Sequence, residues 1–429
     1  MKVLMFGWEF PPHISGGLGT ACFGLTKALS KLNLDLLFVV PKAYGDEDQS
    51  VARLLSASDI TVDLQTSQYK EFWERIRYMQ INSTIIPYTS PEEFSTYSET
   101  NNLKKEFSEN RIFQQKYEFS GGYGLDLMYE VSRYALISSA IASTETFDII
   151  HSHDWLTYPA GIAAKKASGK PLVIHVHATE FDRTGMNVNT LVYDIEKKGM
   201  EYADYIIAVS DLTRNTVINK YGISPEKVVT IHNGVDQYEN THTKKVQKPF
   251  CEKIVTFLGR ITYQKGPEYF VEVARKVLEY DSNVRFVMAG SGDMLNKIIM
   301  LVAKYQISDK FHFTGFLKGS DVDQMFALSD VYVMPSVSEP FGISPLEAIR
   351  SNVPVVISKQ SGVAEVLKHA IKVDFWDIDA MADAIYGLLH YRPLSSMFKK
   401  YAKEEIDHIK WEDAAQKTFE VYKKTLQII

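Results

Sequence analysis

Two carboxylates, Glu339 and Glu347, stand with seven residues between them in SVSEPFGISPLEAIRSNVPVV, Ser336 to Val356. A Pro-Phe-Gly-Ile loop follows the first of them at once, and Pro345 then opens a helix that carries the second. Ahead of both, VYVMPS is short, apolar and β-branched, the pattern of a buried parallel strand. A strand end, a glycine turn and a helix start form a crevice at the carboxyl edge of a parallel sheet, where open α/β proteins bind ligands. The backbone N–H groups of Phe341, Gly342 and Ile343 and the positive end of the helix suit hydroxyls and phosphate oxygens. Two solvated carboxylates at an ordinary βα turn are the plainer alternative. Three further places could do chemistry: the glycines at 16, 17 and 19, the cations Arg260 and Lys265 around a Gly-bearing turn, and two His-x-His pairs, His151 with His153 and His175 with His177.

The elements that must position these residues alternate strand and helix along most of the chain. KVLMFG (2–7) reads as a first strand. Gly16 to Leu32 reads as a helix with Leu18, Ala21, Cys22, Leu25, Ala28, Leu29 and Leu32 at helical spacing, and its glycines let the backbone approach an anion. A proline-bearing loop separates those glycines from the strand, unlike the turn of a dinucleotide-binding dehydrogenase. LDLLFVVP gives a second strand. From about Thr89 to Gly124 the chain is charged and interleaved with Tyr and Phe, either a lid or acceptor surface or an insertion pinned by its aromatics. Leu125 to Ser143 reads as a long helix, DIIHSH and KPLVIHVHA as strands, YIIAVS as another with Ser210 and Asp211 as cap candidates, and KVVTIHNGVD as the last of this half. A polar segment from Gln237 makes the linker. After it the alternation restarts with KIVTFLGRITYQKG. Near the end, Trp411, Ala414, Ala415, Phe419 and Tyr422 are spaced for one helical face.

The 429 residues exceed one ordinary core, and two domains are the simplest count. Apolar residues make up 45% and charged residues 23%, a globular composition, and 47 basic against 53 acidic residues give a net charge of −6, which favours neither nucleic acid nor an anionic membrane. Cys22 and Cys251 fall in different halves and read as buried free thiols of a reducing compartment. The N-terminus reads as a strand and not as a signal peptide, and no run is long enough to span a bilayer, so a cytoplasmic location is expected. Each His-x-His pair shares one strand face, yet no Cys or helical His partner completes a metal site in sequence, so no metal is expected.

The Glu-Pro-Phe-Gly…Glu pattern resembles the donor-site signature of retaining GT-B glycosyltransferases, most closely glycosyltransferase family four and the bacterial and archaeal glycogen synthases. Further motifs follow in the family's order: the Gly-rich opening, HSHDW, Asn-Gly-Val-Asp and Gly-Arg…Gln-Lys-Gly. The resemblance covers nearly the whole chain and implies an α/β fold of two doubly wound, Rossmann-like domains facing across a cleft. The first would be 1–240 on the acceptor side, the second 241–396 for the nucleotide-sugar, and a C-terminal helix 397–429 would return to the first. It implies that Gly16 and Gly17 contact the donor diphosphate and that His153 lies beside the donor sugar. Arg260 and Lys265 would stabilise the nucleoside-diphosphate leaving group, since two fixed cations can take its developing charge without a metal. Glu339 would face the sugar and Glu347 the ribose. Asn233, Gly290, Gly315, Leu317, Phe341, Gly342, Ile343, Ser361 and Gly362 would complete the donor site, with Glu9, Asp182 and Arg183 as weaker acceptor-side candidates. Glycogen synthases most often carry Lys two residues before the glycine pair where this chain has Ile14, which leaves ADP-sugar and UDP-sugar both open.

The activity so implied is retaining transfer of a hexosyl group, with glucose first, from ADP- or UDP-sugar to an α-glucan or other glycan acceptor, with no cofactor. A family-four enzyme building a cell-surface polysaccharide or glycolipid is the alternative. A catalytically silent sugar-binding protein is another, although it would be expected to have lost Arg260, Lys265 or Glu339.

Overall fold

A computed structural model describes residues 1–14, 16–63, 114–124, 126–236 and 251–427. The chain divides into two compact units, the first Met1–Phe181, Met186–His232 and Trp411–Ile429, the second Asp182–Gly185 and Asn233–Lys410. The expected linker from Gln237 and most of the aromatic-rich stretch from Thr89 lie outside the described residues.

In the first unit the strands are β1 (Lys2–Phe6), β2 (Asp35–Val40), β3 (Arg53–Ser56), β4 (Thr61–Asp63), β5 (Gln114–Lys116), β6 (Ile149–His153), β7 (Leu172–Val176), β8 (Tyr205–Ala208) and β9 (Val228–Thr230). Seven of them form one parallel sheet in the order β3-β2-β1-β6-β7-β8-β9, while β4 and β5 pair apart from it as an antiparallel ribbon. DLLFVV of β2 is apolar almost throughout because helices cover both faces of such a sheet. The expected cap forms: the Ser210 side chain accepts from the Thr213 amide at the start of helix Asp211–Tyr221.

The second unit holds β10 (Lys253–Leu258), β11 (Val284–Ala289), β12 (Phe311–Gly315), β13 (Val331–Met334), β14 (Val355–Ser358) and β15 (Ile371–Val373). They form one parallel sheet in the order β12-β11-β10-β13-β14-β15. Its core includes Val255, Phe257, Phe270, Phe286, Val333 and Ile385, all essentially buried, and burying a side chain such as Phe270 contributes about 1.5–3 kcal/mol.

The C-terminal region differs from expectation. In place of one helix over 397–429 there are two, Arg392–Ile406 and Trp411–Gln427, and the chain passes from the second unit to the first at Lys410. Trp411 fits the notch of Gly24 in helix Gly17–Ser30, where an added Cβ would lie 2.3 Å from its ring. Ala414, Ala415, Val421 and Tyr422 continue the buried face, whereas Phe419 is only half-buried. The units divide after His232 and not at 240, so Asn233 belongs to the second. Cys22 is buried as expected, but Cys251, just ahead of β10, is exposed.

Candidate functional site

In the second unit the strand order turns at the β10/β13 boundary, with β11 and β12 to one side and β14 and β15 to the other. The loops leaving β10 and β13 therefore emerge side by side at the carboxyl edge, the usual ligand crevice of such sheets. After β10 come Arg260, a tight turn at Tyr263–Lys265 and Gly266 at φ 65°, from which helix Pro267–Tyr280 departs. A Cβ on Gly266 would sit 2.1 Å from the Pro335 carbonyl oxygen, so only glycine lets the two loops touch. The Val337 amide donates to the Gln264 carbonyl at 2.9 Å and fastens them. The outcome is an ion pair: Lys265 Nζ donates to the Glu339 carboxylate, to which Ser336 Oγ also donates at 3.3 Å. The Glu339 side chain is 7% exposed and that of Lys265 is 20% exposed, so the lysine head stays reachable.

The backbone around Glu339 is held from the β14 side. Its amide donates to the Gln360 carbonyl at 2.9 Å, and its own carbonyl accepts from the Gly362 amide at 2.9 Å. The Val363 amide donates to the Phe341 carbonyl at 2.7 Å, and Ser361 Oγ donates to the Ser358 carbonyl at 2.6 Å. The Gly362 and Val363 amides thus brace the Glu339 loop, while the Ser361 hydroxyl is used within its own turn, although Ser361 and Gly362 were both expected to complete the donor site. Gly342 takes φ 98°, with its open Cβ position 3.1 Å from Glu339 Cγ. Helix Ser344–Arg350, which begins after Ile343, is short and places Glu347 at its middle. Burial pushes the Glu347 carboxyl up, Arg350 offsets part of that, and Asp323 and Asp236 add to it. Arg350 itself donates to the Asp236 carbonyl at 3.0 Å and approaches Asp323 at 3.7 Å.

Gly290 and Gly315 end β11 and β12 beside this turn. The Gly290 amide donates to the Gly315 carbonyl at 2.8 Å, and a Cβ on Gly290 would lie 1.9 Å from the Gly259 carbonyl oxygen. Gly292 is crowded in the same way against Ile261. Gly290 and Gly292 pack backbone on backbone, a requirement independent of any ligand, whereas a Cβ on Gly315 would meet nothing and only its φ of 73° favours glycine. Leu317 is half-buried, next to the exposed Phe316. Two residues escaped the sequence reading. Ser336 holds the Glu339 carboxylate, and Asp293 is a carboxyl raised by burial and partly offset by the charge of Arg260. Asp293 directly follows the Gly-Ser-Gly motif, the one signal that pointed to it.

In the first unit the corresponding edge holds different chemistry. Gly16 caps helix Gly17–Ser30, and a Cβ on Gly16 or Gly17 would meet nothing within 4 Å, so packing does not demand glycine there. It does at Gly19, which sits against Ile14 and Glu9. Glu9 is buried and accepts from the Tyr123 hydroxyl. His153 ends β6 beside three other histidines, all four held neutral: burial drives each well below its usual range, His151 and His177 to about 3. Asp182 and Arg183 group with the second unit, where the buried Asp182 accepts from Ser338 Oγ at 2.5 Å. Asn233 is likewise buried there.

Two Rossmann-like parallel sheets in one chain, one carrying a Lys–Glu pair at its switch point, define an α/β protein of the GT-B class. The family profile described as Glycosyltransferase Family 4 matches residues 105–238, and that described as Glycosyl transferases group 1 matches residues 239–405. An uncharacterized glycosyltransferase of Methanocaldococcus jannaschii is 28% identical, with all of both chains covered. A glycogen synthase of Mycobacterium tuberculosis is 22% identical, covering 98% of this chain and 94% of its own. Among solved structures, a sucrose-phosphate synthase of Thermosynechococcus elongatus superposes over all of both chains with a TM-score of 0.74 at 16% identity. The chain belongs to the family-four-like glycosyltransferases of GT-B fold. Among the described residues no helix is long and apolar enough to cross a membrane.

Proposed function

We propose that this glycosyltransferase moves a hexosyl group, glucose first, from ADP- or UDP-sugar to a hydroxyl of an α-glucan, with retention at the anomeric carbon. The observation that carries the reading is the Lys265–Glu339 pair beside Arg260 at the β10/β13 switch point. As the bond from the anomeric carbon to the diphosphate oxygen breaks, negative charge grows on the departing diphosphate and positive charge on the sugar. Lys265 and Arg260 are suited to the first, and the Glu339 carboxylate to the second. The proton leaves the acceptor hydroxyl as its oxygen bonds to the anomeric carbon, and the released nucleoside diphosphate is the group that takes it. No metal is needed for this charge balance. Glu347 is assigned to the ribose, Gly16 and Gly17 to the diphosphate, and His153 to the sugar, in each case by the family resemblance.

The test is nucleoside diphosphate release by the full-length chain against a panel of ADP- and UDP-sugars, with and without glycogen. Glycogen-dependent release from a glucose donor, with an α-linkage in the product by NMR, is expected. Release that needs a lipid-linked or cell-surface glycan and ignores glycogen would replace the α-glucan with that acceptor. No release from any nucleotide-sugar would overturn the donor class.

A further inference from the structure

The first unit holds a group of four histidines of which the transfer reading uses His153 alone. Strands β6 and β7 pair in parallel with His153 opposite His175, and strand alternation puts His151 beside His153 and His175 beside His177 on one face. The rings of His151 and His153 lie 4.2 Å apart between centroids, those of His175 and His177 4.4 Å, and those of His151 and His175 5.5 Å in near-parallel planes. His151, His153 and His175 are essentially buried, and each offers a ring nitrogen within 4.8 Å of the other two. Cys22 stands with His153 and His177 in a second group of the same reach.

Hydrogen bonding makes the cluster unusual. Nε2 of His151, Nε2 of His153 and both ring nitrogens of His175 are buried without a partner. A buried polar atom left unsatisfied costs about 1–3 kcal/mol, and native proteins keep few of them. The remaining nitrogens are occupied: His151 Nδ1 meets the Tyr422 hydroxyl at 2.5 Å, and His153 Nδ1 meets His177 Nε2 at 3.1 Å. That is the arrangement of metal-ligating histidines, in which one nitrogen is fixed by an outer partner and the other is left for the ion.

We propose that His151, His153 and His175 bind one transition-metal ion of the zinc class, with Tyr422 and His177 orienting two of the three ligands. Three imidazoles suit zinc, cobalt, nickel or copper, whereas calcium and magnesium require oxygen ligands. His153 is also the residue assigned to the donor sugar, so metal and sugar compete for it, a consequence that rests on the transfer reading, whereas metal binding does not.

The experiment is titration of the chelator-stripped full-length chain with Co²⁺, read by its visible absorption, and with Zn²⁺ by calorimetry. One equivalent per chain is expected, with the cobalt spectrum of a low-coordinate nitrogen site. Tyr422→Phe removes a single outer hydroxyl and should weaken affinity about 10- to 100-fold, and His175→Gln should weaken it at least as much. His13→Gln should change nothing, since His13 with Asp46 and Glu47 forms a separate, largely exposed group in which its ring already meets Asp46 at 2.7 Å. Absence of saturable one-equivalent binding overturns the proposal, as does binding that is lost in His13→Gln or is unchanged in Tyr422→Phe. Should His175→Gln fail to fold, the Tyr422→Phe affinity decides.

Discussion

The two units use one topological plan and fill it with opposite chemistry. In both, the sheet's order turns beside its first strand, at β1/β6 in one and β10/β13 in the other. The second unit places there a lysine still partly exposed, paired with a buried glutamate, on the same β10 loop that carries Arg260. The first places the buried His151 and His153 on β6, with the buried His175 on the neighbouring β7 and the half-buried His177 just beyond it, all four neutral. Strand order fixes where a ligand crevice falls, while side chains decide whether it meets fixed charge or neutral lone pairs. Charge stabilisation during leaving-group departure suits the former, and coordination suits the latter.

The sharpest break in this contrast comes from removing the charges. Lys265→Ala and Arg260→Ala should each lower kcat on the order of 10²-fold or more, the scale for losing a preorganised charge stabiliser. Unfolding curves should barely move for Arg260→Ala, whereas Lys265→Ala leaves the buried Glu339 carboxylate without its cation and should lower stability; near-normal turnover in either variant would dismiss the leaving-group role.

Acid should act on the first unit. Its four histidines stay neutral in the folded protein and titrate near 6.5 when unfolded, so below that pH the unfolded chain binds more protons and stability is lost as the pH drops. The loss should set in as pH drops below 6.5 and continue down to about 3 for His151 and His177. Chemical denaturation from pH 7.5 to 5 measures it, and His151→Gln should flatten the slope. A slope equal to that of the wild-type chain would show that His151 is not buried neutral.

Within the second unit, the carboxylates should separate. Glu339→Ala should be mainly a kcat variant, because its carboxylate lies against Lys265 at the switch point. Glu347→Ala should mainly raise the donor KM, by roughly tenfold, as expected for a contact made equally in the ground and transition states. Steady-state kinetics with varied donor decides this, and equal kcat losses with unchanged KM would defeat the division.

The smallest effects concern glycines. Gly290→Ala drives a Cβ into the Gly259 carbonyl at φ 142° and should lower the Tm by several degrees. Gly17→Ala meets open space and should leave Tm unchanged. Should calorimetry find the reverse, the packing role at Gly290 fails.

Much of the second unit's site was legible because it is local in sequence. Glu339, the Pro-Phe-Gly turn and Glu347 fall within a few residues, as do Arg260, Lys265 and Gly266, and a strand-turn-helix pattern suffices to put them on one edge. Less legible was the use of Ser361 and Gly362, since the Gly362 amide braces the Glu339 loop and the Ser361 hydroxyl closes its own turn, bonds that no motif encodes. The C-terminal helix was legible in its apolar face but not in its break near Lys410, where neither Gly nor Pro marks the crossing between units.

The sequence alone determined the alternation of strands and helices, the number of units and the family, because apolar periodicity, glycine turns and motif order are local properties. It also determined that each His-x-His pair shares a strand face. Tertiary structure alone decided that the pairs share a site. His153 and His177 are 24 residues apart, and His151 meets Tyr422 across 271 residues. Only the β6–β7 register and the return of the last helix bring them together, because periodicity states which face a residue occupies and says nothing of which strand or helix will lie against it.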